Sequence, residues 1–289
     1  MKEKLSKYVE LTKPKVTLLN LLVGITCFAL AAFPSIDWVK LAVFSLAGYF
    51  AAGGCGVLNS VCDYDLDKAM PRTSKRAIPA GYISRIKALF FGSALTALGL
   101  EISFFAFNVF TAAMMAFGVV FYLAVYTVWL KRVSSWNVVI GGAAGCFAAL
   151  SGWTAATNTL SVLPLLISAV GFLWTPGHLW ALAIKKVKEY RKAGIPMLPV
   201  TKGLKRAAQA TLLFNFGAVA LSLLLPLLGL AGILYSVVAL SAGGWFLLES
   251  KRLMVFPSEA LGFRVFVASM PYLACLMAGL IIDKVFVHP

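Results

Sequence analysis

The chain has 289 residues, of which 61% are hydrophobic and only 13% charged. That composition excludes a soluble globular domain of this length and fits a polytopic helical membrane protein. The net charge of +15 would suit a nucleic-acid partner, but its distribution along the chain excludes that reading.

Nine apolar stretches are long enough to cross a bilayer: about 15–34, 38–60, 86–107, 109–130, 137–157, 160–184, 206–229, 231–249 and 262–286. Asn108 and Gly229 are the expected turn positions within the two closely spaced pairs. All but Lys40 and Lys284 of the 26 Lys and Arg fall in the N-terminal segment or the even-numbered connections. The positive-inside rule puts those segments in the cytoplasm and the C-terminus outside. The basic excess is then mostly topology and anionic-lipid attraction, with a remainder for an anionic substrate. The five cysteines form no CxxC pair and read as small buried hydrophobes.

The chain reads as one membrane domain, residues 1–289, without a linker or extramembrane module. Two long polar connections, about 61–85 and 185–205, lie four spans apart, and both carry clustered bases and prolines. The spacing predicts a nine-helix, pseudo-twofold bundle around a central cavity open to the cytoplasmic side.

The strongest chemical signal is Asn59-x3-Asp63-x3-Asp67 at the border of the second stretch. At 3.6 residues per turn, positions four apart stay within roughly 40–80° of one another, so one face carries an amide and two carboxylates. Lys68, Arg72, Lys75 and Arg76 follow at once. Hard oxygen ligands suit Mg²⁺, and the cations suit phosphate. Acids at such borders often only cap helices or pair with bases, and Asp65, off that face, fits this plainer role. Asn59 lies inside a span, where an amide needs a partner. The pattern therefore points to a magnesium–diphosphate site with Asn59, Asp63 and Asp67 as metal ligands.

The second polar connection holds one carboxylate, Glu189, among Lys185, Lys186, Lys188, Arg191 and Lys192. That is a poor metal site but a good anion-binding complement to the first. His178 lies about two turns before this cluster and follows Pro176, which can break a helix locally. A lone His on an apolar helix is more often a core residue. Lys131-Arg132 reads first as a topology anchor, and Tyr122 and Tyr126 either line the cavity or join the interfacial aromatic belt.

From residue 11 to 200 the chain resembles the membrane prenyltransferase superfamily that includes 4-hydroxybenzoate prenyltransferases, most closely its haem-farnesylating branch. The superfamily mark is Asn59-x3-Asp63-x3-Asp67. The branch marks are Leu11-Thr-Lys-Pro14-Lys-Val, Asp63-Tyr-Asp-Leu-Asp67-x2-Met70-x-Arg72-Thr73-x2-Arg76 and Tyr126-Thr-x3-Lys131-Arg132-x4-Asn137. Trp174-Thr-Pro-x-His178-x-Trp180 and Tyr190-x2-Ala-Gly-Ile-Pro196-Met-Leu-Pro199 complete the set. Three positions depart from the pattern. Glu189 replaces a common Asp, Pro176-Gly177 replaces a double proline, and Ala148-Ala149 stand near where a proline pair is usual.

The resemblance implies farnesyl transfer from farnesyl diphosphate to a vinyl group of haem b, with water addition, giving haem O. It implies Mg²⁺ at Asn59, Asp63 and Asp67, and His178 among the catalytic residues as a haem ligand, a propionate partner or an acid–base group. It implies substrate contacts from Arg72, Arg76, Lys131, Lys186, Glu189, Tyr126, Trp180 and Tyr190. It also implies a cell (inner) membrane location and handover of product to haem A synthase or oxidase assembly. Rival readings are a prenyltransferase for a quinone precursor or lipid headgroup, an anion transporter, and a haem chaperone. The last would not need the Asn59–Asp63–Asp67 register.

Overall fold

The computed structural model describes residues 2–287. A short amphipathic helix, α1 (Lys2–Leu11), precedes α2 (Pro14–Ala32), whose Pro14 sits in the first helical turn, where its missing N–H costs nothing. α3 (Trp38–Cys62) is capped by Asp37, which accepts from the Lys40 amide at 3.0 Å. α4 (Tyr64–Ala69) follows after the single residue Asp63, and α5 (Arg85–Ala106) starts at the Ser84 cap. α6 (Val109–Val120) starts at Asn108, whose side chain accepts from the Thr111 amide at 2.8 Å. It runs on as a π-helix over Phe121–Leu130 and ends in α7 (Lys131–Val133).

The second half repeats the plan. α8 (Asn137–Thr157) and α9 (Val162–Lys185) are followed by the short α10 (Val187–Lys192) and α11 (Leu198–Thr201). α12 (Gly203–Leu227), α13 (Ile233–Val255) and α14 (Glu259–Phe286) complete the chain. Gly229 takes φ 70° between α12 and α13, a left-handed turn open to glycine. Among the described residues, nine helical segments are long and apolar enough to cross a membrane.

The two halves pack alike. α3 lies on α5 as α9 lies on α12, α2 meets α3 as α8 meets α9, and α5 meets α6 as α12 meets α13. α8 also packs on α2, while α14 touches α9, α13 and α2. Small residues let these helices close up: a Cβ on Gly152 of α8 would collide with the Gly24 carbonyl of α2. Gly177 of α9 is equally constrained, because a Cβ there would strike Asn215 Oδ1 of α12. Gly177 is thus matched to the neighbouring helix.

The π-helical turns were not foreseen. An unbroken α-helix was the expectation over 109–130, but π-helical turns tend to occur at functional sites. α13 also runs six residues past its expected end at 249. Glu249, at that position, is neutralised by Arg252 at 2.6 Å and Arg264 at 2.8 Å.

Candidate active site

The last turn of α3 and the start of α4 keep one helical register through the acidic motif. The Asp63 amide bonds the Asn59 carbonyl at 2.9 Å, and the Asp67 amide bonds the Asp63 carbonyl at 2.7 Å. Asn59, Asp63 and Asp67 are therefore brought together, all buried, while Asp65 points outward and is 61% exposed. Arg132 holds Asp65 through two bonds of 2.7 and 2.8 Å and also donates to the Cys62 carbonyl at 2.9 Å. That pair ties α7 to α4 at the edge of the site.

Each inward polar group has a basic or hydroxyl partner. Lys131 Nζ lies 2.5 Å from Asp63 Oδ2. Arg76 Nη1 is 2.9 Å from both oxygens of Asp67. Asn59 donates from Nδ2 to Thr127 Oγ1 at 2.9 Å and accepts from Lys13 Nζ. Thr127 itself donates to the Tyr122 carbonyl five residues earlier at 2.8 Å, so the π-helical segment presents this hydroxyl to Asn59. Tyr122 and Tyr126 stack on each other at 5.7 Å, with Lys131 Nζ 6.0 Å from the Tyr126 ring.

Lys13 is the residue the sequence reading missed. It precedes Pro14 in the left-handed region at φ 51°, a conformation that bulky residues seldom adopt. Desolvation by burial pulls its ammonium down to about 7, helped by Arg76 and Lys131 and opposed by Asp63 and Asp67. The Leu11-Thr-Lys-Pro14 string was the available signal, but nothing in it placed that lysine beside an amide 46 positions away.

The second polar connection reaches the first. Glu189 accepts from Lys186 at 2.8 Å, and its Oε2 lies 3.8 Å from Arg72 Nε. Burial pushes the Tyr190 phenol above its usual range, as does Tyr126, while Lys131 and Arg72 oppose this. Tyr190 therefore shares its surroundings with groups from both connections. Buried Asp63 Oδ1 and Glu189 Oε2 have no hydrogen-bond partner among the described residues. An orphaned carboxylate oxygen of this kind fits a cation or ordered water. Among the described residues no three His, Cys, Asp or Glu side chains come together to hold a metal. Two carboxylates and an amide are nonetheless what Mg²⁺ uses when phosphate oxygens and waters complete its shell.

Two residues from the sequence reading stand apart from this cluster. His178 is sandwiched between Trp174 at 4.4 Å and Phe266 at 4.5 Å, and its Nδ1 lies 2.5 Å from Ser269 Oγ of α14. Trp174 Nε1 donates to the Ser269 carbonyl at 2.9 Å, which fixes the same seam. No hydrogen bond among the described residues uses His178 Nε2. Trp180 is fully buried against Trp136 at 6.3 Å and Phe214 at 5.3 Å, among packed helices.

A cavity runs from Lys13 into the membrane between α2, α3, α6 and α8, enclosing about 870 Å³ with its open mouth included. Three of its lining helices belong to the first half of the bundle, and α8 of the second half supplies the fourth. Tyr122, Cys55 and Gly56 flank its head, and Phe44 and Met115 lie at its far end.

A membrane-embedded helical bundle with an acidic–basic site at one border is the class defined by these features. Residues 18–274 match the UbiA prenyltransferase family, and the chain belongs to it. It is 39% identical over 277 residues to the protoheme IX farnesyltransferase of Alkalilimnicola ehrlichii, covering 96% of this chain and 92% of that one. The corresponding protein of Marinobacter nauticus is 40% identical over 276 residues, covering 96% and 91%. Protoheme IX farnesyltransferase 1 of Cenarchaeum symbiosum is 36% identical over 286 residues, covering 97% and 96%. In fold, the chain is similar to a UbiA homologue from Archaeoglobus fulgidus bound to DMAPP and Mg²⁺. The TM-score is 0.73 at 19% identity, covering 95% and 99% of the two chains. A digeranylgeranylglyceryl phosphate synthase structure gives 0.76 at 22%, covering 98% and 99%.

Proposed function

We propose that this protein transfers the farnesyl group of farnesyl diphosphate to a vinyl group of haem b, with addition of water, giving haem O and diphosphate. The observation that carries the proposal is the orphaned Asp63 Oδ1, set among Lys131, Arg76 and Lys13 at the head of an apolar cavity. The haem acceptor follows the relatives named above.

Asp63, Asp67 and Asn59 would hold Mg²⁺, which supplies charge neutralisation for a departing diphosphate. Lys13, Lys131, Arg76 and Arg72 bind the non-bridging oxygens, so the pyrophosphate leaves with the electron pair of its bond to C1. Lys186 and Glu189 set the position of Arg72 from the opposite connection. Tyr122 and Tyr126 offer π faces to the developing allylic cation, and the cavity keeps bulk water from it. The terminal vinyl carbon bonds to C1, a water oxygen bonds to the carbon beside the porphyrin, and one water proton is released. Tyr190 borders this acceptor side. His178 contacts haem through the free Nε2, since Ser269 engages Nδ1. Trp180 packs helices and does not touch substrate.

The protein works in the cell membrane with the N-terminus and basic connections in the cytoplasm and the C-terminus outside, as the positive-inside rule requires. Its product passes to haem A synthase or oxidase assembly.

The test is incubation of purified protein with haem b, farnesyl diphosphate and Mg²⁺, with and without EDTA, reading haem by mass. A metal-dependent product heavier by one farnesyl and one hydroxyl group is expected. Asp63→Ala abolishes it, and His178→Ala weakens haem binding. A prenylated quinone precursor formed in place of any haem product would leave the diphosphate site standing and discard the acceptor.

A further inference from the structure

The cavity is built in two different ways along its length. Small residues on four helices, Gly24, Gly48, Ala51, Ala52, Gly118 and Ala148, make room along its walls between larger Leu21, Val119 and Phe147. Its far end is large. Phe44 closes it, and Phe44 is backed by Phe28 at 5.7 Å and Phe107 at 6.2 Å, while Phe28 and Phe107 meet edge to face at 6.3 Å. Met115 joins this floor, and its sulfur lies 2.9 Å from Ser103 Oγ. Phe44, Phe28 and Met115 are all buried, so the floor has no free volume into which to swing.

The depth can be read from the helices. Lys13 to Gly24 along α2 and Gly56 to Phe44 along α3 both correspond to about 17–18 Å at 1.5 Å per residue. An extended geranyl main chain, with carbon–carbon bonds of about 1.5 Å, is about 9 Å long, a farnesyl about 14 Å and a geranylgeranyl about 19 Å. With C1 held near Lys13 and Tyr122, a farnesyl chain ends just short of Phe44, and a geranylgeranyl chain meets the ring.

We propose that Phe44 and Met115, held by Phe28, Phe107 and Ser103, form a fixed floor that selects a fifteen-carbon donor over a twenty-carbon one. The inference rests on the prenyl-transfer reading of the site, and it assigns donor length to this chain's own residues. Selection arises because an extra isoprene unit has to displace packed aromatic rings or fold back against the small-residue walls. A shorter donor fits but leaves apolar surface uncovered, so it binds more weakly.

The experiment offers geranyl, farnesyl and geranylgeranyl diphosphates at equal concentration to the full-length enzyme with haem b and Mg²⁺, and reads the haem products by mass. The wild type is expected to favour farnesyl over geranylgeranyl at least tenfold. Phe44→Ala and, separately, Met115→Ala shift that ratio toward geranylgeranyl at least tenfold. Met115→Ala serves even if loss of the Phe44 ring prevents folding. Gly48→Leu, which shortens the cavity from its wall, moves preference toward geranyl. Thermal stabilisation by each donor with Mg²⁺ and no haem reads the same order without the acceptor. Absence of haem product from every donor, with length-ordered stabilisation retained, would therefore overturn the acceptor reading and support the floor. A wild type indifferent to length means that the tail leaves sideways into lipid, and it overturns the floor. Folded Phe44→Ala and Met115→Ala variants with unchanged ratios overturn it equally.

Discussion

Lys131 and Asp63, 68 positions apart in the chain, meet at 2.5 Å, while the second oxygen of that carboxylate has no hydrogen-bond partner among the described residues. The lysine side chain is 16% exposed and the aspartate 3%, so water does little for either charge. Lys131 thus supplies the positive charge that this buried carboxylate needs. Lys131→Met leaves the carboxylate buried and unpaired, which costs about 3–5 kcal/mol when no other cation is present. The expected outcome is a lower Tm in EDTA and a larger gain in Tm on adding Mg²⁺ than the wild type shows. Equal Mg²⁺ responses in variant and wild type would count against a metal at Asp63.

Arg76 grips both oxygens of Asp67 from one nitrogen at 2.9 Å. Guanidinium keeps several donors in a fixed plane, whereas an ammonium is a point charge on a flexible stem. Arg76→Lys therefore retains charge but holds either Asp67 or the substrate, not both. Its kcat is expected to fall about 10²-fold, in the range found when one donor to a developing anion is removed. The donor KM rises less. Steady-state kinetics with varied farnesyl diphosphate checks the split, and full activity in Arg76→Lys would remove Arg76 from the site.

Metal removal and charge removal separate in the same assay. EDTA should abolish haem product from the wild type, and excess Mg²⁺ should restore it. In Asp67→Asn, where one carboxylate becomes an amide, the Mg²⁺ concentration for half-maximal rate is expected to rise about tenfold or more, as ligand charge sets affinity for a hard cation. An unchanged Mg²⁺ requirement in that variant would place the metal elsewhere.

Much of this was legible in the sequence because membrane burial writes itself as length and apolarity. The spans, the Asn59–Asp63–Asp67 face and the turns at Asn108 and Gly229 follow from local rules of spacing and backbone freedom. What escaped depends on side chains meeting across the bundle. Lys13 is a basic residue before a proline until α2 and α3 pack and bring Asn59 to it. Glu249 looks like the end of a span until Arg252 and Arg264 cancel its charge. The π-helical stretch at Tyr122–Thr127 has no local signature, since its hydroxyl contact serves an amide on another helix.

The outward Asp65 offers a pH test with a defined sign. Its hydrogen bonds from Arg132 lower its pKa to about 2, against about 3.9 in an unfolded chain. A depressed carboxyl stabilises the fold above the unfolded value and loses that contribution as pH falls from about 4 to about 2. With the aspartate side chain 61% exposed, the pair contributes under about 1 kcal/mol. Asp65→Asn should therefore lower Tm slightly at pH 7, with the difference from wild type shrinking toward pH 2. Turnover between pH 6 and 8 should fall less than twofold. A large loss of turnover in a folded Asp65→Asn would assign this carboxylate to the metal site.

Trp180 separates packing from substrate contact. Its ring is enclosed by Trp136 and Phe214, and its indole N–H is buried without a hydrogen-bond partner among the described residues. Trp180→Phe keeps most of the volume and removes the unpaired donor, so stability is expected to change little. Trp180→Ala leaves a cavity at the α8–α9–α12 contact and should cost about 3–5 kcal/mol. Neither variant should alter the KM for farnesyl diphosphate or haem b once corrected for the folded fraction. The checks are thermal unfolding in detergent and kinetics on the folded protein. A stable Trp180→Phe with a tenfold rise in the haem KM would return this indole to the acceptor site, because a packing residue acts through stability and leaves substrate affinity unchanged.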